Sequence, residues 1–367
     1  MAWLSGAKVL NHRRWLEQIG PIGGPLVWHT PAPPNLWPVP RTPQSLCCSP
    51  FKFILAASRA TVLASASGWS GHLAASFGAL TAWSLLDPRA ASSPNRLMLS
   101  PNIDQMKDYF GMSAKGTIGA AIAILEMQAA GYPWFGHWED AILLPGVKAP
   151  DFIFGHTNIL AAVEAKCTEQ HDPNLVKWLK DAWRGQVRDA GAWGMNEGWV
   201  IATCFNDPAG AAIECAYGAF PAPRPPGGAR APGNVPNNFV TLKRAMQSAL
   251  TGVVQWISPR LPIEFDRENR WPVTRLAENL LRGMGAQEYL FGTTIECPTN
   301  DNRLVRMTPL CKKTTLEKLL HGLALQRDVQ MPEAELAEEI DLHDADSIPV
   351  DVWLNDGTGA RFTIVDQ

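Results

Sequence analysis

Two stretches decide how this chain reads: Ala149-Pro150-Asp151-Phe152-Ile153-Phe154, and Ala162-Val163-Glu164-Ala165-Lys166 shortly after. Both have the apolar character of strands, and Gly155-His156-Thr157-Asn158 between them has the composition of a hairpin turn. Side chains alternate along a strand, so Glu164 and Lys166 share one face while Val163 and Ala165 take the other. A four-residue turn sets Phe154 opposite Ile159 and Asp151 opposite Ala162. Glu164 is then the diagonal neighbour of Asp151, with Cβ atoms roughly 7–8 Å apart or less. That gap suits a hard divalent cation held between two carboxylates. Lys166, next along the face, is placed to hold or deprotonate a water beside it. The plainer reading of Glu164 and Lys166 is an ion pair on an exposed strand, worth under about 1 kcal/mol.

Working outward, residues 117–130 read as a helix, with Ile118, Ile122, Leu125 and Ala129 on one stripe, Thr117 as N-cap and Gly131 as stop. Residues 140–144, 151–154 and 159–166 read as strands. A helix over 173–193 carries Leu175, Trp178, Leu179, Trp183 and Val187, and a strand follows over 199–205. Helix, three strands, helix and strand in this order make an α/β unit.

This arrangement resembles the PD-(D/E)xK nuclease superfamily, through Pro150-Asp151 and Glu164-Ala165-Lys166. The resemblance covers residues 115–206, about a quarter of the chain. It implies a restriction-endonuclease-like three-layer αβα core with a mixed central sheet. It also implies hydrolysis of nucleic-acid phosphodiesters with Mg²⁺ or Mn²⁺. Asp151 and Glu164 would ligate the metal, the Ala165 carbonyl would add a ligand, and Lys166 would position the attacking water. A glutamate on the first helix often joins this site in the family, and Glu126 is the candidate. The RecB-like group carries Q-x-x-x-Y on the second helix; here Gln186 is followed four residues later by Ala190, so the tyrosine is missing. Lys177, Lys180, Arg184 and Arg188 on that helix are candidates for phosphate contacts, or a solvated face.

Composition bounds the rest. Net charge is −3, from 32 basic and 35 acidic side chains, which excludes a generally basic nucleic-acid coat. Hydrophobic residues at 46% allow a sizeable core. The seven cysteines include no C-x-x-C pair and no Cys/His cluster, which argues against structural zinc or a disulfide scaffold and for a reducing cytoplasm. Residues 1–14 do not read as a secretory signal. Residues 60–86 hold no formal charge over roughly 27 residues, yet small residues and His72 argue against a membrane span. The weak periodicity before residue 98 also raises a start at Met98 or Met106.

The organisation expected is a Pro/Trp/Ala-rich N-terminal region (1–101), the nuclease-like core (102–206), a Pro/Gly-rich linker (207–238) and a mainly helical C-terminal region (239–367). The last holds helices over 239–257, 273–284 and 315–326, strands over 289–297 and 303–310, and an acidic tail over 333–356. Thr314 and Glu317 look like a capping box. Arg303, Arg306, Lys312, Lys313 and Lys318 suggest DNA contact masked by that tail, or ordinary surface. Glu139 and Asp140 are placed to approach the metal from a strand end. His171 and Glu169 read as loop residues, His156 as solvent-facing and Cys167 as a small buried hydrophobe. The tryptophans read mostly as core, with one available to stack on a base.

The leading expectation is a metal-dependent DNA endonuclease, acting in restriction or defence, alone or as a homodimer or with a partner protein. The alternatives are a non-catalytic binding module on the same fold and a membrane-associated interaction protein.

Overall fold

The computed structural model describes residues 8–18, 26–29, 45–62, 69–85, 97, 108–141, 148–168, 175–204, 212–220, 242–258, 272–298, 303–324 and 349–366. Strands β1 (Lys8–Gln18), β2 (Leu26–His29) and β3 (Ser45–Cys48) precede helices α1 (Pro50–Ala60), α2 (Trp69–Leu85) and α3 (Asp108–Ala129). Ser49 caps α1 by accepting the Lys52 N–H at 3.1 Å. Helix α3 is buried all round from residue 121 to 128, as a core helix is. It starts earlier than its sequence stripe implies. Thr117 is inside it, with its hydroxyl donating to the Ser113 carbonyl at 3.0 Å, so it is not the cap. Gly131 ends the helix as expected, at φ 94°, with its N–H on the Gln128 carbonyl and that of Tyr132 on Met127.

Strands β4 (Trp134–His137), β5 (Phe152–His156) and β6 (Ile159–Thr168) form an antiparallel meander. The first strand lies earlier than residues 140–144. All four β4 residues are buried, so they show no alternation, and residues Trp138–Ala141 form the short helix α4 instead. Helix α5 (Leu175–Ala182) continues into a π-helical turn (Trp183–Val187) and a 3-10 segment (Arg188–Trp193), then β7 (Glu197–Cys204) runs parallel to β6. Helix, meander, helix and strand therefore follow one another in the expected order.

Strand β8 (Ala212–Ala219) lies where a linker was expected over 207–238. It is interior, antiparallel to β7 and parallel to β1, and small residues such as Ala216 and Gly218 disguise it as loop. Among the described residues the sheet thus has eight strands, in the order β2-β1-β8-β7-β6-β5-β4 with β3 on β1, and beyond β7 it is built from strands that precede residue 102 or follow residue 206. The Cβ that Gly119 of α3 lacks would lie 3.0 Å from Cys167 Cβ, while Gln186 bonds Glu164. Because 164 and 167 face opposite ways on β6, helices cover both faces of the sheet.

Beyond it come α6 (Leu242–Ile257), α7 (Pro272–Met284), β9 (Tyr289–Phe291), β10 (Ile295–Pro298), β11 (Arg303–Lys312), α8 (Lys313–Ala324), β12 (Val350–Trp353) and β13 (Thr358–Asp366). The strands form a second, antiparallel sheet, β10-β11-β13-β12 with β9 on β11. The C-terminal region is therefore mixed rather than mainly helical. Two of its strands, β12 and β13, lie at or beyond the end of the acidic stretch that read as tail. Thr314 is already inside α8, so the expected capping box does not start that helix. Among the described residues no helix is long and apolar enough to cross a membrane.

Candidate active site

The hairpin turn is tighter than expected. His156 pairs with Ile159, leaving Thr157 and Asn158 as a two-residue loop with Thr157 at φ 47°. Phe154 therefore pairs with Ala161, not Ile159, and Phe152 with Val163. A slip of two residues preserves the face of every side chain. Extended one residue, this register sets Asp151 across from Glu164 rather than diagonal to it. The chain bends at Asp151, whose N–H donates to the Val163 carbonyl at 3.1 Å and whose carbonyl accepts from Trp138 at 3.0 Å. Its carboxylate Oδ2 accepts the Ala165 N–H at 2.8 Å, so the side chain continues the ladder where the backbone bends.

Glu164 is 1% exposed. Its Oε1 accepts from Lys166 Nζ in a short ion pair and from Gln186 Nε2 at 2.7 Å. Gln186 also reaches the Ala149 carbonyl at 3.3 Å. The π-helical turn aims Gln186 at the sheet, and such turns recur at functional sites. Glu164 Oε2 is buried with no hydrogen-bond partner. Burial and the nearby Asp151 carboxylate push the Glu164 pKa up to about 8, against the pull of Lys166 and Gln186. Enclosure also raises Asp151, opposed by the Ala165 N–H and Lys166. Asp151 is exposed on the cleft.

Asp151, Ala165 and Lys166 open onto a cleft of about 870 Å³, also lined by Thr61, Lys115, His137, Glu139 and Trp178. His137 is 8% exposed, with Nε2 unpartnered, and burial lowers its pKa to about 4. Glu139 is exposed on the cleft, and its charge adds to the rise at Asp151.

The structure thus brings together Asp151, Glu164, Ala165, Lys166 and Gln186. Glu126 is fully buried on α3 and does not line the cleft. Lys177 and Arg184 are exposed, Lys180 and Arg188 half-buried, and none of the four lines the cleft; Arg188 pairs with Asp189 at 2.9 Å. His171 and Glu169 lie outside the described residues. Arg306 pairs with Glu296 at 2.8 Å. Asp351 and Asp356 pair with Arg361 at 2.7 Å and Arg59 at 3.2 Å, not with the basic stretch they were expected to mask. Sequence reasoning missed Lys115, His137 and the position of Trp178. Lys115 precedes the helix as first bounded, and His137 belongs to the misplaced strand.

Among the described residues no group of three or more His, Cys, Asp or Glu is placed to hold a metal. The donor set still fits a hard cation. Two carboxylates face each other, one oxygen of the buried Glu164 has no partner, and Mg²⁺ commonly takes only one or two carboxylates and completes its shell with water and phosphate. No family model, curated protein or solved structure matches this chain.

Proposed function

We propose that this chain is a metal-dependent endonuclease hydrolysing DNA phosphodiester bonds on a restriction-endonuclease-like core. The observation that carries the reading is the carboxylate pair. Asp151 lies across a hairpin from the buried Glu164, whose one oxygen takes Lys166 and Gln186 while the other has no partner. Burial and the facing Asp151 carboxylate favour a proton on Glu164 in the metal-free fold, and a cation between the two carboxylates would take that proton's place. Asp151 and Glu164 would hold Mg²⁺ or Mn²⁺, with the Ala165 carbonyl beside them. When bound, that cation would supply charge neutralisation at the phosphate and acidify a water. Lys166, held beside Glu164 on the same strand face, would orient the attacking water and face the phosphate. Gln186 keeps Glu164 from rotating. Among the described residues no group of three acids or other metal-binding side chains forms, which favours one competing reading, a nucleic-acid binding module that uses the same site without cutting.

Incubation of purified protein with supercoiled plasmid separates the two. The hydrolase reading expects nicked or linear product with Mg²⁺ or Mn²⁺, none in EDTA, and none from Asp151→Ala or Lys166→Ala. A folded wild type that leaves plasmid, linear duplex and single strands intact, yet binds them, would favour the module.

A further inference from the structure

The cleft beside the carboxylates has features that hydrolysis at Asp151 does not use. Trp178 is 39% exposed on its lining, although Leu175, Leu179 and Ala182 of the same helix are buried. Met112, 66% exposed, is on the lining too. An indole face left in water at a cleft is suited to stacking on another flat ring. The wall supplies an independent observation: His137 is nine-tenths buried and its Nε2 has no partner. With its pKa lowered by burial, that ring is neutral at ordinary pH, so it adds a polar group without charge to the wall. Lys115 and Lys166 stand on the same lining as Glu139 and Asp151, so the cleft offers cations for a phosphate beside the acids that would hold a metal. About 870 Å³ is the volume of a small-molecule site, enough to take a base and its sugar. Bases stacked in a duplex offer only their edges, so none can lay a face on Trp178.

Resting on the nuclease reading for its class of polymer, we infer that the cleft takes single-stranded nucleic acid, with an unpaired base stacked on Trp178 and the strand led past Lys115 to Asp151.

Fluorescence anisotropy of labelled 12-nucleotide single strands, DNA and RNA, against the same DNA as a duplex tests this in EDTA, where binding is read without cleavage. Single strands of at least one sugar should bind about ten-fold or more tighter than duplex. Trp178→Ala should lose about ten-fold of that affinity, the size of one base–aromatic stack, and leave duplex binding unchanged. Trp178→Phe, which keeps a ring face, should restore most of it. Equal affinity for duplex and single strands, or a Trp178→Ala protein that binds single strands like wild type, overturns the inference. The two readings fail separately. Trp178-dependent binding without Mg²⁺-dependent cutting removes the hydrolase and keeps the cleft assignment. Mg²⁺-dependent cutting together with single-strand binding that Trp178→Ala does not alter does the reverse.

Discussion

Glu164 concentrates the physics of the site in one side chain. Its pKa stands near 8 in the fold against an ordinary 4.5, so the folded state holds a proton that the unfolded chain releases. Stability from that proton is complete below about pH 4.5 and is lost as pH rises towards 8. The effect is on the order of a few kcal/mol, since one pKa unit is about 1.4 kcal/mol. Metal-free wild type should therefore lose stability to denaturant between pH 5 and 8 relative to Glu164→Gln, which carries no titrating group. Parallel pH profiles for the two proteins would remove the assignment. Gln186→Ala should lower cleavage about 10–100-fold, the usual cost of losing a residue that orients a ligand, with the fold intact by circular dichroism. Unchanged cleavage would leave Gln186 without a role. Asp151, Glu164 and Lys166 were legible in sequence because strand alternation is a short-range rule. Their register was not: Thr157 takes a left-handed conformation that a β-branched residue rarely adopts, so nothing in Gly155-His156-Thr157-Asn158 announces a two-residue loop.

At the scale of elements, the site depends on the seam between the π-helical turn and β7. A Cβ at Gly198 would stand 2.4 Å from Val187 Cγ1 and 3.0 Å from Trp183, both in that turn. Gly198→Ala should push the turn off the sheet, cost about 1–3 kcal/mol by overpacking, and carry Gln186 away from Glu164. Cleavage should fall with it, and a variant of normal activity would show that the turn does not set the site. Periodicity read residues 173–193 as one helix because the buried Leu175, Leu179, Trp183 and Val187 keep a four-residue spacing. A spacing of four fits a π-helical turn as well as an α-helix, so the change of helix type left no mark in the pattern. Trp178 fell within that apolar reading for the same reason, although it faces the cleft. Strands β4 and β8 escaped notice because burial on both faces removes alternation.

Over the whole molecule, Arg59 joins parts far apart in sequence. It is 1% exposed, pairs with Asp356 at 3.2 Å beside the β12–β13 turn, donates to the Gly252 carbonyl of α6 at 2.7 Å, and lies 4.9 Å over the Phe135 ring of β4. Arg59→Ala strands the buried Asp356 and should cost about 3–5 kcal/mol in denaturant unfolding. A loss below about 1 kcal/mol would mean that the two sheets are held by packing alone. The same contacts bear on a start at Met98 or Met106. Such a chain lacks α1, with Phe53, Ile54 and Leu55 all buried in the core, and should be insoluble or unfolded. None of this was visible beforehand, because a lone arginine after an apolar run has no sequence signal for its partners.

The central claim, that this hairpin holds a divalent cation between Asp151 and Glu164, is most directly tested without substrate. Mn²⁺ titrated into purified protein and followed by electron paramagnetic resonance counts bound cations, and requires neither the right nucleic acid nor a partner. One Mn²⁺ per wild-type chain, retained in Lys166→Ala and lost in both Asp151→Asn and Glu164→Gln, is the predicted result. Folded wild type that takes up no Mn²⁺, or uptake that survives both carboxylate substitutions, would contradict it.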